Sequence, residues 1–362
     1  MTGSPPAAQK PARAPTSLRR RLVLLAVACL ASLLALEGAV RLRHWLKHGT
    51  FGAIYDFVID EESGLRIPPS GRHGPIEIDS RGFRSPELTV PKPAGTLRVA
   101  FLGGSTTYCA EASGNDATWP AQVVARLRAA LPKQTIDWVN GAAAAFTVEH
   151  MRKSLEFRVA KLQPDVIVLY EATNDLAQDS RAAAKAQGVW KGPAEDWLED
   201  RSMLWAILKR NFLMRSSGAN TESSGHVTFD ADAAGKAYEE RVVDLIERSK
   251  KVAPVVAIAT FSHRVRPEQD AAARREACQS ALYYMPFMTP DDILAGITAY
   301  NAAIRRAAAR TGALLIDGEH TIPADGEHFN DSVHLKDAGC RVMGERVAKA
   351  LLAEGVLAPV IR

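Results

Sequence analysis

Two stretches far apart in this chain could do chemistry together: Phe101-Leu102-Gly103-Gly104-Ser105-Thr106 and Asp331-Ser332-Val333-His334. A serine hydroxyl is a poor nucleophile until a base takes its proton, and an imidazole is a good base when a carboxylate fixes its tautomer. Asp331 precedes His334 by three residues, close enough for one tight turn to hold both. Ser105 follows the apolar run Leu97 to Leu102, which reads as a buried strand. It would therefore sit just past a strand's C-terminal end, where open α/β sheets place their ligands. Each stretch alone is unspecific, since Gly-Gly-Ser-Thr is an ordinary turn composition and Asp-x-x-His recurs by chance. Two further buried-strand runs sharpen the pattern. Asp165 to Tyr170 ends in Glu171-Ala172-Thr173-Asn174-Asp175, and Thr135 to Val139 ends in Asn140-Gly141-Ala142-Ala143-Ala144-Ala145-Phe146-Thr147. Three strand ends and the Asp-His turn can converge at one edge of one sheet.

These four blocks, in this order, resemble those of the SGNH (GDSL-like) hydrolase superfamily, over roughly residues 96 to 355. The resemblance implies a flavodoxin-like three-layer α/β fold around a five-stranded parallel sheet. It also implies roles by position: Ser105 as nucleophile, His334 as base and Asp331 as its orienting carboxylate. Asn174 would donate its side-chain amide to the oxyanion, beside the backbone N–H of Ser105. Three positions depart from the family pattern. Gly104 stands where the commonest form has Asp, and Ala172 where Gly usually precedes x-Asn-Asp. The small-residue loop has Ala145 where the family's glycine falls by count, with Gly141 the only glycine nearby. The donor there is a backbone N–H, which alanine supplies unless the position needs φ > 0. Ala145 is favoured over Gly141 on that count.

The positioning elements follow from the pattern of apolar residues. Thr118 and Pro120 open a helix from Trp119 to Leu131, with Trp119, Val123, Leu127 and Leu131 on one face. A second helix spans Val148 to Leu162, and a third covers about Lys236 to Lys251. Val255 to Ala259 and Ala313 to Ile316 read as the fourth and fifth strands. Thr289-Pro290-Asp291-Asp292 starts a long helix striped by Ile293, Ile297, Tyr300 and Ile304. Lys336 to Leu352 closes a domain spanning 96–358. Between Gln178 and Gly235 the alternation breaks. This insertion, 178–235, holds Trp190, Trp197 and Trp205 and begins just after Asn174, so it is placed to overhang the pocket. A helix packed on the core, a substrate lid and a membrane-leaning helix bearing Lys209, Arg210 and Arg215 all remain open for it.

Ahead of the domain lie a basic tail (1–21), an apolar run from Leu22 to Val40 and a Gly/Pro-rich connector (41–95). The run has the length of a membrane-spanning helix. Its Glu37 lies near the far end, where a carboxylate reaches the headgroups. The Arg19-Arg20-Arg21 cluster before the run favours a cytoplasmic N-terminus and an extracytoplasmic, periplasmic domain on the inner membrane. A cleaved signal peptide is the competing reading. In the connector, Asp60 to Pro68 and Ile76 to Arg84 read as short extended pieces, with Asp79 to Arg84 packing onto the domain.

The net charge of +4 comes from the N-terminus. Residues 1–48 carry eight Lys/Arg and one acidic residue, leaving 37 Lys/Arg against 40 Asp/Glu. The remainder shows no nucleic-acid footprint. Cys109, Cys278 and Cys340 have no C-x-x-C spacing, so a zinc knuckle or redox motif is not indicated, while one disulfide stays open. Gly103-Gly104-Ser105 lacks the dinucleotide-binding spacing. His320, Asp325, Glu327, His328, Asp331 and His334 offer ligand types but no i, i+4 helical pair, Pro323 and Gly326 pointing to an irregular loop, so neither metal nor cofactor is expected. The expected activity is a serine esterase acting on O-acyl esters, with O-acetyl groups of envelope carbohydrate as the substrate suggested by an extracytoplasmic site. O-acyl transfer and a non-catalytic binding role on the same fold are the alternatives.

Overall fold

A computed structural model describes residues 17–48, 58–60, 64–67, 70–192, 196–199, 201–216 and 225–361. Most of the basic tail, including Lys10 and Arg13, and parts of the connector and insertion lie outside the described residues. The first element is helix α1 (Leu18–His48). Two short antiparallel hairpins follow, β1 (Val58–Asp60) with β2 (Gly64–Arg66) and β3 (Arg72–His73) with β4 (Ile76–Glu77).

The domain is built on five parallel strands: β5 (Thr96–Gly103), β6 (Thr135–Asn140), β7 (Val166–Tyr170), β8 (Val255–Ala259) and β9 (Leu314–Ile316). Their spatial order is β6-β5-β7-β8-β9, the flavodoxin-like order. Strands β5, β7 and β8 are buried at every residue, as strands covered on both faces must be. Helices α3 (Trp119–Ala130) and α11 (Asp337–Leu351) pack together on one face. On the other lie α4 (Val148–Ser154), α5 (Thr173–Ala186), α7 (Ala231–Lys250) and α10 (Pro290–Thr311). The expected caps form: Thr118 accepts from the Ala121 N–H, and Thr289 and Asp292 make a reciprocal capping box.

The structure differs from the sequence reading in three places and locates the one helix that reading left open. The helix expected over Val148 to Leu162 is α-helical only to Ser154. It widens into a π turn over Leu155–Val159 and tightens into a 3₁₀ turn over Ala160–Leu162. The wide turn keeps Leu155, Val159 and Leu162 all buried. The irregular insertion is shorter than expected, because α5 runs on to Ala186 and α7 begins at Ala231. Its helix, α6 (Met203–Ser216), packs on α1 and on α9 (Gln279–Tyr284), not on the main core. Glu37 does not reach outward. Its carboxylate accepts from the backbone N–H groups of Met203 and Leu204, both at 2.9 Å, and caps α6.

Candidate active site

The four expected blocks meet at the C-terminal edge of the sheet. Ser105 is the first residue of α2 (Ser105–Tyr108), directly after β5. Its Oγ lies 2.8 Å from His334 Nε2, and His334 Nδ1 lies 2.7 Å from Asp331 Oδ2. With Nδ1–H donated to Asp331, Nε2 keeps its lone pair toward the serine hydroxyl. Asp331 Oδ1 accepts from the N–H groups of Val333 and His334, each at 2.9 Å, so the same carboxylate closes the turn that carries the base. Ser332 pins that turn to the body of the domain: its N–H donates to Ser280 Oγ (3.0 Å), and its carbonyl accepts from Arg264 N–H (2.9 Å).

Electrostatics favour the division of labour these distances suggest. Burial works to raise Asp331, yet the His334 ring bond and charge and the two backbone N–H groups outweigh it and hold the carboxyl at about 2. Burial pulls His334 down, but the bond to Asp331 and the charges of Asp331 and Glu111 lift it above the ordinary imidazole value, against Arg210. The carboxylate thus stays ionised while the imidazole is a stronger base than a free one.

The turn bearing Ser105 is held at every carbonyl from Thr106 to Cys109. Trp119 Nε1 donates to Thr106 O (3.1 Å) and Asn140 Nδ2 to Thr107 O (2.9 Å). Arg84, with no exposed surface, donates to Tyr108 O (2.9 Å) and to Cys109 O, and reaches Gly114 O and Asn115 Oδ1. Arg84 therefore does not line the pocket; it grips the Ser105 turn from behind. Asp79 organises the segment that delivers it, accepting from Phe83 N–H (2.7 Å) and Arg81 N–H (2.9 Å).

The oxyanion candidates converge beside Ser105. Asn174 Nδ2 donates to Phe146 O (2.9 Å), leaving its second hydrogen for another acceptor. A Cβ added at Gly104 would lie 2.2 Å from Glu171 Oε2, 2.5 Å from Asn174 Nδ2 and 3.0 Å from Phe146 O. Position 104 is glycine because Glu171 fills the space a side chain would need. Ser105, as the first helical residue, has an N–H without an intrahelical acceptor. Ala145 adopts φ +62°, the left-handed conformation that favours glycine. Gly141 is elsewhere: it is buried, its N–H donates to Phe101 O (2.8 Å), and a Cβ there would meet Leu102 and Val159 at 2.9 Å. Asp175 faces inward, accepting from Val148 N–H (2.8 Å) at the start of α4 and pairing with Arg241.

A cavity of about 500 Å³ opens on the His334 side. Its lining includes Glu111, Arg210, Asn211, Gln279 and Asn330. All four cysteines are free thiols, with Cys109 and Cys340 beside one another in the interior. Sequence reasoning missed Arg84, Asn140, Trp119 and Glu171 as supports of the site. For Arg84 the signal was present, in an arginine within a segment already read as packing on the domain.

No curated protein matches the chain. Among solved structures, an acetylxylan esterase from Geobacillus stearothermophilus is 17% identical over 71% of this chain and 95% of its own, with a TM-score of 0.44. An α/β hydrolase from the metagenome of Lake Arreo, Spain, is 17% identical over 70% of this chain and 94% of its own, with a TM-score of 0.42. The family model described as the GDSL-like lipase/acylhydrolase family matches residues 101–342, from the last residues of β5 through the Asp331–His334 turn into α11. That match spans both halves of the Ser-His-Asp arrangement, and by it the chain belongs to the GDSL-like lipase/acylhydrolase family of hydrolases.

Proposed function

We propose that the protein is a serine esterase that cleaves O-acyl esters, with O-acetyl groups on cell-envelope carbohydrate as its substrate class. The observation carrying this reading is the continuous relay from Ser105 Oγ through His334 to Asp331, at 2.8 and 2.7 Å. Ser105 Oγ attacks the acyl carbonyl as His334 Nε2 takes its proton, and Asp331 stabilises the imidazolium. The resulting oxyanion accepts from Ser105 N–H, Asn174 Nδ2 and the N–H of Ala145. Each such donor is worth roughly a hundredfold or more in rate. The intermediate collapses, His334 returns the proton to the departing alcohol, and the acyl group stays on Ser105. Water, deprotonated by His334, then releases the acid and regenerates the hydroxyl.

A hydroxyl-rich alcohol suits the polar cavity wall of Glu111, Arg210, Asn211, Gln279 and Asn330. The basic cluster ahead of an apolar helix that by length and composition could cross a membrane supports an extracytoplasmic site. Retention of α1 is supported by the Glu37 cap on α6, since a cleaved leader would not be wired into the domain.

The test is turnover of short-chain aryl esters and acetate release from O-acetylated envelope glycans. Ser105→Ala should lower both by about a thousandfold or more with the fold unchanged. Wild-type rates in a folded Ser105→Ala protein would overturn the mechanism. Acetate that moves onto an added acceptor alcohol instead of appearing free would reassign the acyl-enzyme to transfer.

A further inference from the structure

Helix α6 departs from the pattern of the other helices. Its residues from Met203 to Phe212 read Met-Leu-Trp-Ala-Ile-Leu-Lys-Arg-Asn-Phe, apolar but for Lys209, Arg210 and Asn211. Apolar residues in that majority are ordinarily covered, by protein or by lipid. Here Trp205, Leu208 and Phe212 are exposed, Phe212 by 72%, and the turn before the helix adds exposed Trp197 and Leu198. This is an apolar surface with no protein over it among the described residues.

What covers it follows from how α6 is attached. Glu37 belongs to the apolar helix α1, whose leucines from Leu22 to Leu36 are all exposed. Its carboxylate accepts from Met203 N–H, Leu204 N–H and Ser202 Oγ, each at 2.9 Å, and from Arg41 Nε at 2.6 Å. Arg41 continues the junction by donating to Arg201 O at 3.0 Å. The first turn of α6 is thus fixed within about 5 Å, along the α1 axis, of where the apolar run ends at Val40. That level is the boundary between hydrocarbon and headgroups if α1 crosses a bilayer. Trp197 and Trp205 are the residue type that settles there. Lys209 is neutralised by Asp196 (2.8 Å) and Glu199 (2.5 Å), so the segment holds its own turn together without lipid.

We propose that α6, with the Trp197–Leu198 turn, lies in the interfacial layer of the same bilayer that α1 crosses. One side of the helix, Ile207, Arg210 and Asn211, lines the cavity next to His334 and Asp331. Leu208 and Phe212, one turn apart and exposed, enter the acyl boundary. The cavity then opens within about a helix diameter, roughly 10 Å, of the headgroups, so the ester is met at the membrane surface. The inference deepens the esterase reading of the same site, yet the contact with lipid is measurable without catalysis.

The experiment uses the full chain in vesicles of equal parts phosphatidylethanolamine and phosphatidylglycerol. Cys29 is the one exposed cysteine, so Cys29→Ala leaves only the buried thiols. Into it go Leu208→Cys, Phe212→Cys, Leu30→Cys as an in-span reference and Glu354→Cys as a distant control. Each is labelled with a polarity-sensitive fluorophore and challenged with acyl-chain-brominated lipid. Labels at 208 and 212 should be quenched at least about twofold more than the label at 354, and the label at 30 more strongly still. Quenching at 30 with none at 208 and 212 overturns the interfacial helix while leaving the esterase reading intact. No quenching at any position overturns it together with the membrane anchor. Should a cysteine variant fail to fold, wild type can be compared with Trp205→Phe. Brominated lipid should quench the wild-type emission more, and equal quenching overturns the proposal.

Discussion

At the scale of single residues, the departures from the family pattern were visible in the sequence but their consequences were not. The Ser105, Asp331 and His334 positions could be read because nucleophile, base and carboxylate are chemically distinctive types. Ala145 could be located only by counting, since nothing in a run of four alanines says which one turns left-handed. Its φ of +62° costs about 1 kcal/mol for a residue with a Cβ. Ala145→Gly should therefore leave the N–H in place and raise stability by up to about 1 kcal/mol, net of glycine's greater unfolded-state entropy. Thermal unfolding of the two proteins checks this; a clear loss of stability would mean the loop is held by contacts of the alanine methyl. Gly104 carries the complementary lesson. A glycine in place of the usual acidic residue looks like a loss, but the space behind it is already filled by Glu171.

Among elements, strands were read best, because a buried parallel strand is a short apolar run with polar punctuation at both ends. β8 matches its expected limits, Val255 to Ala259, and the other four central strands agree to within a residue. Helix caps with side-chain signals, at Thr118 and Thr289, were equally legible. The π turn after α4 was not, since its cause is the packing of Leu155, Val159 and Leu162 on the sheet. Arg158 of that turn also donates to the Arg81 and Gly82 carbonyls, a tertiary contact no local pattern announces. For Arg84 the sequence signalled the packing segment but not the partners, which lie 24 to 31 residues away in and after α2. Arg84→Lys keeps a charge but not the planar fork, so it cannot bridge several carbonyls at once. It should lower kcat at least about tenfold with little change in KM, because the turn carrying Ser105 loosens while the cavity is untouched. Arg84→Ala leaves buried acceptors unpaired and should cost about 3 kcal/mol or more. Unchanged kcat in Arg84→Lys would show that the turn needs only the remaining clamps from Trp119 and Asn140.

For the whole molecule, the order β6-β5-β7-β8-β9 gathers the site, and the same gathering buries two acids behind it. Burial lifts Glu171 to about 8 against the pull of the Asn174 N–H, with Asp175 adding to the rise; burial likewise lifts Asp175 to about 6. In the unfolded chain both return to ordinary carboxylate values. Between about 4.5 and 8 the folded protein therefore holds more protons than the unfolded chain, and stability falls as pH rises through that window. Glu171→Gln removes this titration and should flatten the slope of unfolding free energy against pH, measured by denaturant unfolding at several pH values. A slope unchanged from wild type would mean that Glu171 is already ionised in the fold. The sequence hinted at none of this, because Glu171 looks like any strand-end carboxylate until the sheet closes over it.

The central claim is that Ser105 is made nucleophilic by His334 and Asp331, and an active-site-directed fluorophosphonate tests it most directly. Intact mass and peptide mapping should find one adduct on the wild-type chain, on the peptide carrying Ser105. Labelling should be slowed by orders of magnitude in His334→Ala and absent in Ser105→Ala. A folded wild-type protein that takes no adduct, or takes it on another serine with Ser105 unmodified, would contradict the relay.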